Sequence, residues 1–210
     1  MTAVIMLGGF ALEGTAWWLV SFRRRDVWRA TVPALVAVGL AALLTGTVSW
    51  SPEVGAAPAL LVGAASGAAL YLATRAFVVV ARPWGTFQRH SLAIYLRQGS
   101  RSLANALLLS VVLSVPGEEL FWRGFVQPHL VEWFDGRGAL AATVSWAAFA
   151  LANLPSANLA IVAGAVVGGA LWSGLGWWSG GALAPMASHA VWTLLMLSFP
   201  VVRGGDVGGP

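Results

Sequence analysis

Runs of about twenty apolar residues, parted by short clusters of arginine, leave this chain few ways to fold. A helix of that length crosses ~30 Å of hydrocarbon and satisfies its own backbone there, which an open sheet or irregular chain cannot do. Seven spans are expected. Three lie near 1–22, 31–50 and 58–81, and a fourth starts near residue 102. The last three lie near 139–154, 157–178 and 182–201. The fold class that follows is an all-α polytopic bundle. Only 10% of the 210 residues are charged and 58% are hydrophobic, where a soluble domain carries about 25% charged residues.

The arginines then set the orientation. All twelve basic residues are arginine, so the isoelectric point near 11 reflects topology determinants between spans and implies no nucleic-acid partner. Arg23, Arg24, Arg25 and Arg29 follow the first span. Arg82, Arg89, Arg97 and Arg101 fall on the same side two spans later, Arg203 falls there too, and Arg137 falls opposite. This places the first loop in the cytoplasm and the amino terminus outside. Residues 1–22 lack a basic leader ahead of the apolar run, so they read as a retained span and not as a cleaved signal peptide.

Residues 82–101 read as a basic amphipathic segment on the membrane surface, with lipid as its partner. Ser51-Pro52-Glu53-Val54-Gly55 and Gly180-Gly181 are turns. Gly63 and Gly67 are small residues suited to close helix packing, and 204–210 is a flexible tail. Glu13, in the first span, is expected to be interfacial or to face the bundle, and His90 and His129 to be interfacial. With no cysteine in the chain, disulfides, thiolate metal sites and a thiol nucleophile are excluded.

Against this apolar background, Glu118-Glu119-Leu120-Phe121-Trp122-Arg123 stands apart, because charge inside a membrane helix is costly and normally functional. Pro116-Gly117 predicts a kink and a fresh helix start, with both glutamates in the first turn, where the helix dipole favours them. Glu119 and Arg123 are four apart and can pair. Glu118 lies about 100° round the helix and is left available.

The pattern Glu118-Glu119-x-x-x-Arg123 resembles the first motif of the CPBP family of intramembrane endopeptidases, relatives of the type II CAAX prenyl protease and of bacteriocin-processing and self-immunity proteins. Phe149-Ala150-Leu151-Ala152-Asn153 is similar to the family's FxxxH motif, with asparagine at its end. His189-Ala190-Val191-Trp192-Thr193 is similar to its HxxxN or HxxxD motif, with threonine at its end. The resemblance covers about 102–197. It implies a CAAX-protease-like core in 102–203, preceded by an amino-terminal part, 1–101. It also implies a multi-pass protein of a bacterial cytoplasmic membrane that acts on a membrane-anchored protein or peptide.

The expected catalytic residues are Glu118, Glu119, Arg123, Asn153 and His189. A carboxylate taken out of water is a stronger base, which suits Glu118 to activate water. Arg123 holds Glu119 charged, and His189 shares the water or donates to the oxyanion. Asn153 can donate to an oxyanion but cannot act as a base; capping the span before Pro155 is its other reading. Phe149, Trp122 and Thr193 are expected to line the substrate path. No cofactor is required on this reading. Zinc is possible but not favoured, because Glu118 and His189 fall short of three protein ligands. The site faces the outer side on these boundaries, which favours the carboxy-terminal anchor of an exported protein over a prenylated cytoplasmic peptide. The alternatives are a non-catalytic binding or immunity protein and, less favoured for want of an inverted repeat, a transporter subunit.

Overall fold

The computed structural model describes residues 1–50, 53–96, 99 and 101–202. Arg97, Arg203, the Ser51-Pro52 part of the first turn and the 204–210 tail lie outside the described residues. Every regular element among the described residues is helical. In order these are α1 (Thr2–Phe22), α2 (Val27–Leu44), α3 (Ala56–Val80), α4 (Gly85–Leu96), α5 (Leu103–Trp133), α6 (Gly138–Asn153), α7 (Leu159–Ser179) and α8 (Leu183–Ser198). Six, with α6 continued by a 3₁₀ turn to Ser156, are long and apolar enough to cross a membrane. The expected seventh, α8, is apolar but has only 16 residues. The protein is a multi-pass integral membrane protein.

The two ends of the bundle are chemically distinct. At one end Ser21 Oγ donates to the Ser156 carbonyl, at 2.5 Å. Arg101 sits 3.8 Å from Asp26, and the Leu159 N–H donates to His90 Nδ1, at 2.8 Å. The α1–α2 loop, α4 and the α6–α7 turn therefore meet there, with most of the arginines. At the other end the Ser49 N–H donates to the Gly124 carbonyl (2.8 Å) and the Ala182 N–H to the Ser49 carbonyl (3.1 Å), joining the α2–α3 loop to α5 and α8.

Close packing depends on small residues, as the Gly63 and Gly67 spacing predicts. A Cβ at either would meet backbone of α8, at Ala184 and at Ser188 respectively. The approach of α2 to α5 is as tight, since a Cβ on Gly39 would lie 2.5 Å from the Gly117 Cα. Gly117 immediately precedes the two glutamates, so this contact fixes their depth. α3 packs along α8, α2 on α5, and α1 on both α2 and α6. The amino-terminal helices thus interleave with the carboxy-terminal ones and do not form a separate layer.

The fresh helix start predicted at Pro116-Gly117 does not occur. α5 runs unbroken for 31 residues and absorbs the proline by widening. A π-helical stretch, Leu108–Ser114, ends two residues before Pro116, and a second, Trp122–Val126, ends two residues before Pro128. A π turn shifts the hydrogen-bond register where a proline lacks its N–H and its ring would crowd the previous turn. Ser114 Oγ adds a bond to the Leu109 carbonyl, at 2.9 Å. With no helix start at Pro116-Gly117, the dipole of a fresh terminus is not what holds the glutamates.

Candidate functional site

Glu119 is fully buried on α5, at 0% exposure. Its Oε1 accepts from Arg123 Nη1 at 3.2 Å and from His189 Nδ1 at 2.8 Å. The expected i,i+4 pair is present, and α8 adds a histidine to it. Oε2 has no partner. Because a carboxylate only accepts, it assigns the proton to His189 Nδ1 and leaves Nε2 with its lone pair. The ring is held by stacking on Trp172 of α7, with centroids 3.7 Å apart and planes 16° apart.

Arg123 is 1% exposed, and α6 and α7 surround it. Its Nη2 donates to the Gly169 carbonyl, at 3.3 Å. Its guanidinium carbon lies 4.5 Å from the Phe149 ring centre and 5.7 Å from that of Trp172. A buried cation is tolerable where a carboxylate, a carbonyl and two aromatic faces replace its water.

Glu118 differs from its neighbour. It is half-buried and makes no hydrogen bond to a described residue, and the charged groups around it are Glu13, Glu119 and Arg123. One carboxylate is held and the other is unengaged, as the helix geometry predicts. Glu119 lies about 24 Å along α5 from Leu103 and about 21 Å from Trp133, near the middle of the helix.

Three expectations require correction. Trp122 and Phe149 are 1% and 3% exposed, so neither presents a surface to a substrate. They pack edge to face, 5.8 Å apart, and form the wall behind Glu119 and Arg123. Asn153 is 5% exposed, and its Nδ2 donates to Glu13 Oε1 and to the Phe149 carbonyl, both at 3.0 Å. Both amide hydrogens are engaged, so neither is free for an oxyanion, and the bond to the Phe149 carbonyl lies within the last turn of α6. His129 is not interfacial: it is buried on α5, with Nδ1 2.8 Å from the Phe125 carbonyl. Thr193 is half-buried, one turn past His189, and its hydroxyl has no partner among the described residues.

Sequence reasoning left Glu13 open between the interface and the bundle. It faces the bundle at 2% exposure, with Oε2 accepting from Trp122 Nε1, at 2.8 Å, and Oε1 from Asn153. A signal was available: Met6, Gly9, Glu13, Ala16 and Val20 are the buried residues of α1 and form a single stripe. Among the described residues, no three histidine, aspartate or glutamate side chains are grouped to hold a metal ion.

The family model of the type II CAAX prenyl endopeptidase, Rce1-like, matches residues 100–195. No curated protein and no solved structure matches the chain. The matched stretch opens just before α5 and closes within α8, taking in the helices that meet at Glu119. Over that stretch the chain is similar to the Rce1-like family of type II CAAX prenyl endopeptidases.

Proposed function

We propose that the protein is an intramembrane endopeptidase that cleaves a peptide bond in or near the membrane anchor of a substrate protein, using water activated by Glu118. The observation that carries this reading is the contrast within the glutamate pair. Glu119 is fixed by Arg123 and His189, whereas Glu118 is half-buried and unbonded. A base must be free to take a proton, and a carboxylate away from bulk water takes one more readily.

In the proposed step a water gives one proton to Glu118 while its oxygen adds to the scissile carbonyl. The C–N bond then breaks, and the proton passes from Glu118 to the leaving amine. His189 Nε2, on a ring held by Glu119 and Trp172, accepts from the water and steers its lone pair. Arg123 bonds the same Glu119 oxygen as His189 and so helps hold that carboxylate in place against the ring. No metal ion is required on this reading, because Glu118 and His189 provide too few ligands for a catalytic zinc. The position of His189, six residues into α8 from the arginine-poor end, supports an opening toward the outer face of a bacterial cytoplasmic membrane. It also supports the carboxy-terminal anchor of an exported protein as substrate over a prenylated cytoplasmic peptide.

The test uses purified protein in liposomes with two reporters, a transmembrane-anchor segment and a farnesylated peptide. Cleavage of the first, lost in Glu118→Gln with an unchanged amount of folded protein, is the expected result. Full cleavage by Glu118→Gln sinks the mechanism. Binding of the anchor segment without hydrolysis points instead to a non-catalytic member of the family, a reading favoured by the engagement of both Asn153 amide hydrogens.

A further inference from the structure

Glu13 lies outside the stretch that matches the family, on a helix with no other charged residue. Burying a carboxylate costs several kcal/mol unless its oxygens are satisfied. Among the described residues no cation pairs with Glu13, and Arg123 is bonded to Glu119. Its partners are two neutral N–H donors, the Trp122 indole and the Asn153 carboxamide. Trp122 stands one turn beyond Glu118 on α5, and Asn153 ends α6, so the carboxylate from α1 joins the two site helices.

The chemistry explains why an acid occupies this position. Two donors arriving at two oxygens require two acceptors, which a carboxylate has and a glutamine lacks. The effect on Asn153 is specific. Glu13 and the Phe149 carbonyl can only accept, so together they force the amide nitrogen toward themselves. Asn153 Oδ1 is then turned the other way, and no described residue donates to it. A carboxamide fixed in this way presents an acceptor, a role opposite to oxyanion donation.

We propose that Glu13 is a positioning residue of the site: it locks the Asn153 carboxamide so that Oδ1 shares with His189 Nε2 the second hydrogen of the water whose first hydrogen goes to Glu118. The functional unit then extends into α1, beyond the family-like stretch. This rests on the endopeptidase reading above.

The experiment measures kcat and KM on the anchor reporter in liposomes, normalised to folded protein, for wild type, Glu13→Gln, Asn153→Ala, their double variant and Glu118→Gln. Glu13→Gln is expected to lower kcat about 10–100-fold, the usual effect of losing a group that orients a reacting one, with KM unchanged. Because Glu13 acts through Asn153, the double variant should be no slower than Asn153→Ala alone. A role confined to holding α1 in place would lower the folded yield and leave the specific rate alone. If Glu13→Gln does not fold, Glu13→Asp keeps both acceptor oxygens one methylene short and is expected to lose about tenfold in kcat. An unchanged specific rate in either variant, or losses that multiply in the double variant, overturns the proposal. Full activity in Glu118→Gln overturns the mechanism beneath it instead. A wild type as inert as every variant removes both.

Discussion

Removing the Arg123 guanidinium should destabilise the protein more than removing both members of its ion pair. Both side chains are fully buried, at 0% exposure, and 3.2 Å apart. In Arg123→Met the thioether chain fills most of the space against Phe149 and Trp172, so little packing is lost. What remains is Glu119, with one bond from His189 and an Oε2 that has no partner among the described residues. A buried carboxylate stranded in this way costs about 3–5 kcal/mol. Adding Glu119→Gln removes the stranded charge and keeps an acceptor for His189, so the double variant should recover about half of that loss or more. Reversible unfolding in mixed micelles, followed by far-ultraviolet circular dichroism, measures all three variants against wild type. If Arg123→Met loses less than about 1 kcal/mol, or the double variant loses the full sum of the singles, burial does not make this pair interdependent and the argument fails.

Gly117→Ala drives a Cβ into the Leu35 carbonyl of α2, and should cost about 1–3 kcal/mol by overpacking while displacing the adjacent Glu118; a denaturation midpoint and a cleavage rate check both effects. Single cysteines at the exposed Thr47 and Glu132 should react with an impermeant maleimide in intact cells, and one at Thr86 only after permeabilisation; the chain has no native cysteine to interfere. The reverse pattern would turn the site end toward the cytoplasm. Cleavage of the anchor reporter should survive a strong zinc chelator, and a loss restored by added zinc would replace the glutamate-water mechanism.

The all-helical membrane bundle and the Glu119–Arg123 pair were legible in the sequence because each depends on a property of single helices: apolar length in the first case, four-residue spacing in the second. The continuity of α5 was not. Proline chemistry alone allows a break, a kink or a π turn, and the choice belongs to the packing of α2 against Gly117. His189 could be named from its motif, yet its partner could not be, because Nδ1 meets a residue seventy positions away. Asn153 was misread for a related reason. An amide at the end of a span looks free to donate until the groups around it are known, and the group that engages it is Glu13, 140 residues earlier. A lone acid in the first span has no sequence neighbour that reveals its partner. Its stripe companions, Gly9 and Ala16, do mark the buried face, since small residues one turn either side admit a neighbouring helix. In a membrane chain, therefore, a solitary carboxylate flanked by small residues at helical spacing is better read as facing a partner helix than as an interfacial residue. The partner then has to be sought among the polar side chains of the other spans, which here are few enough that Asn153 stands among the first to try.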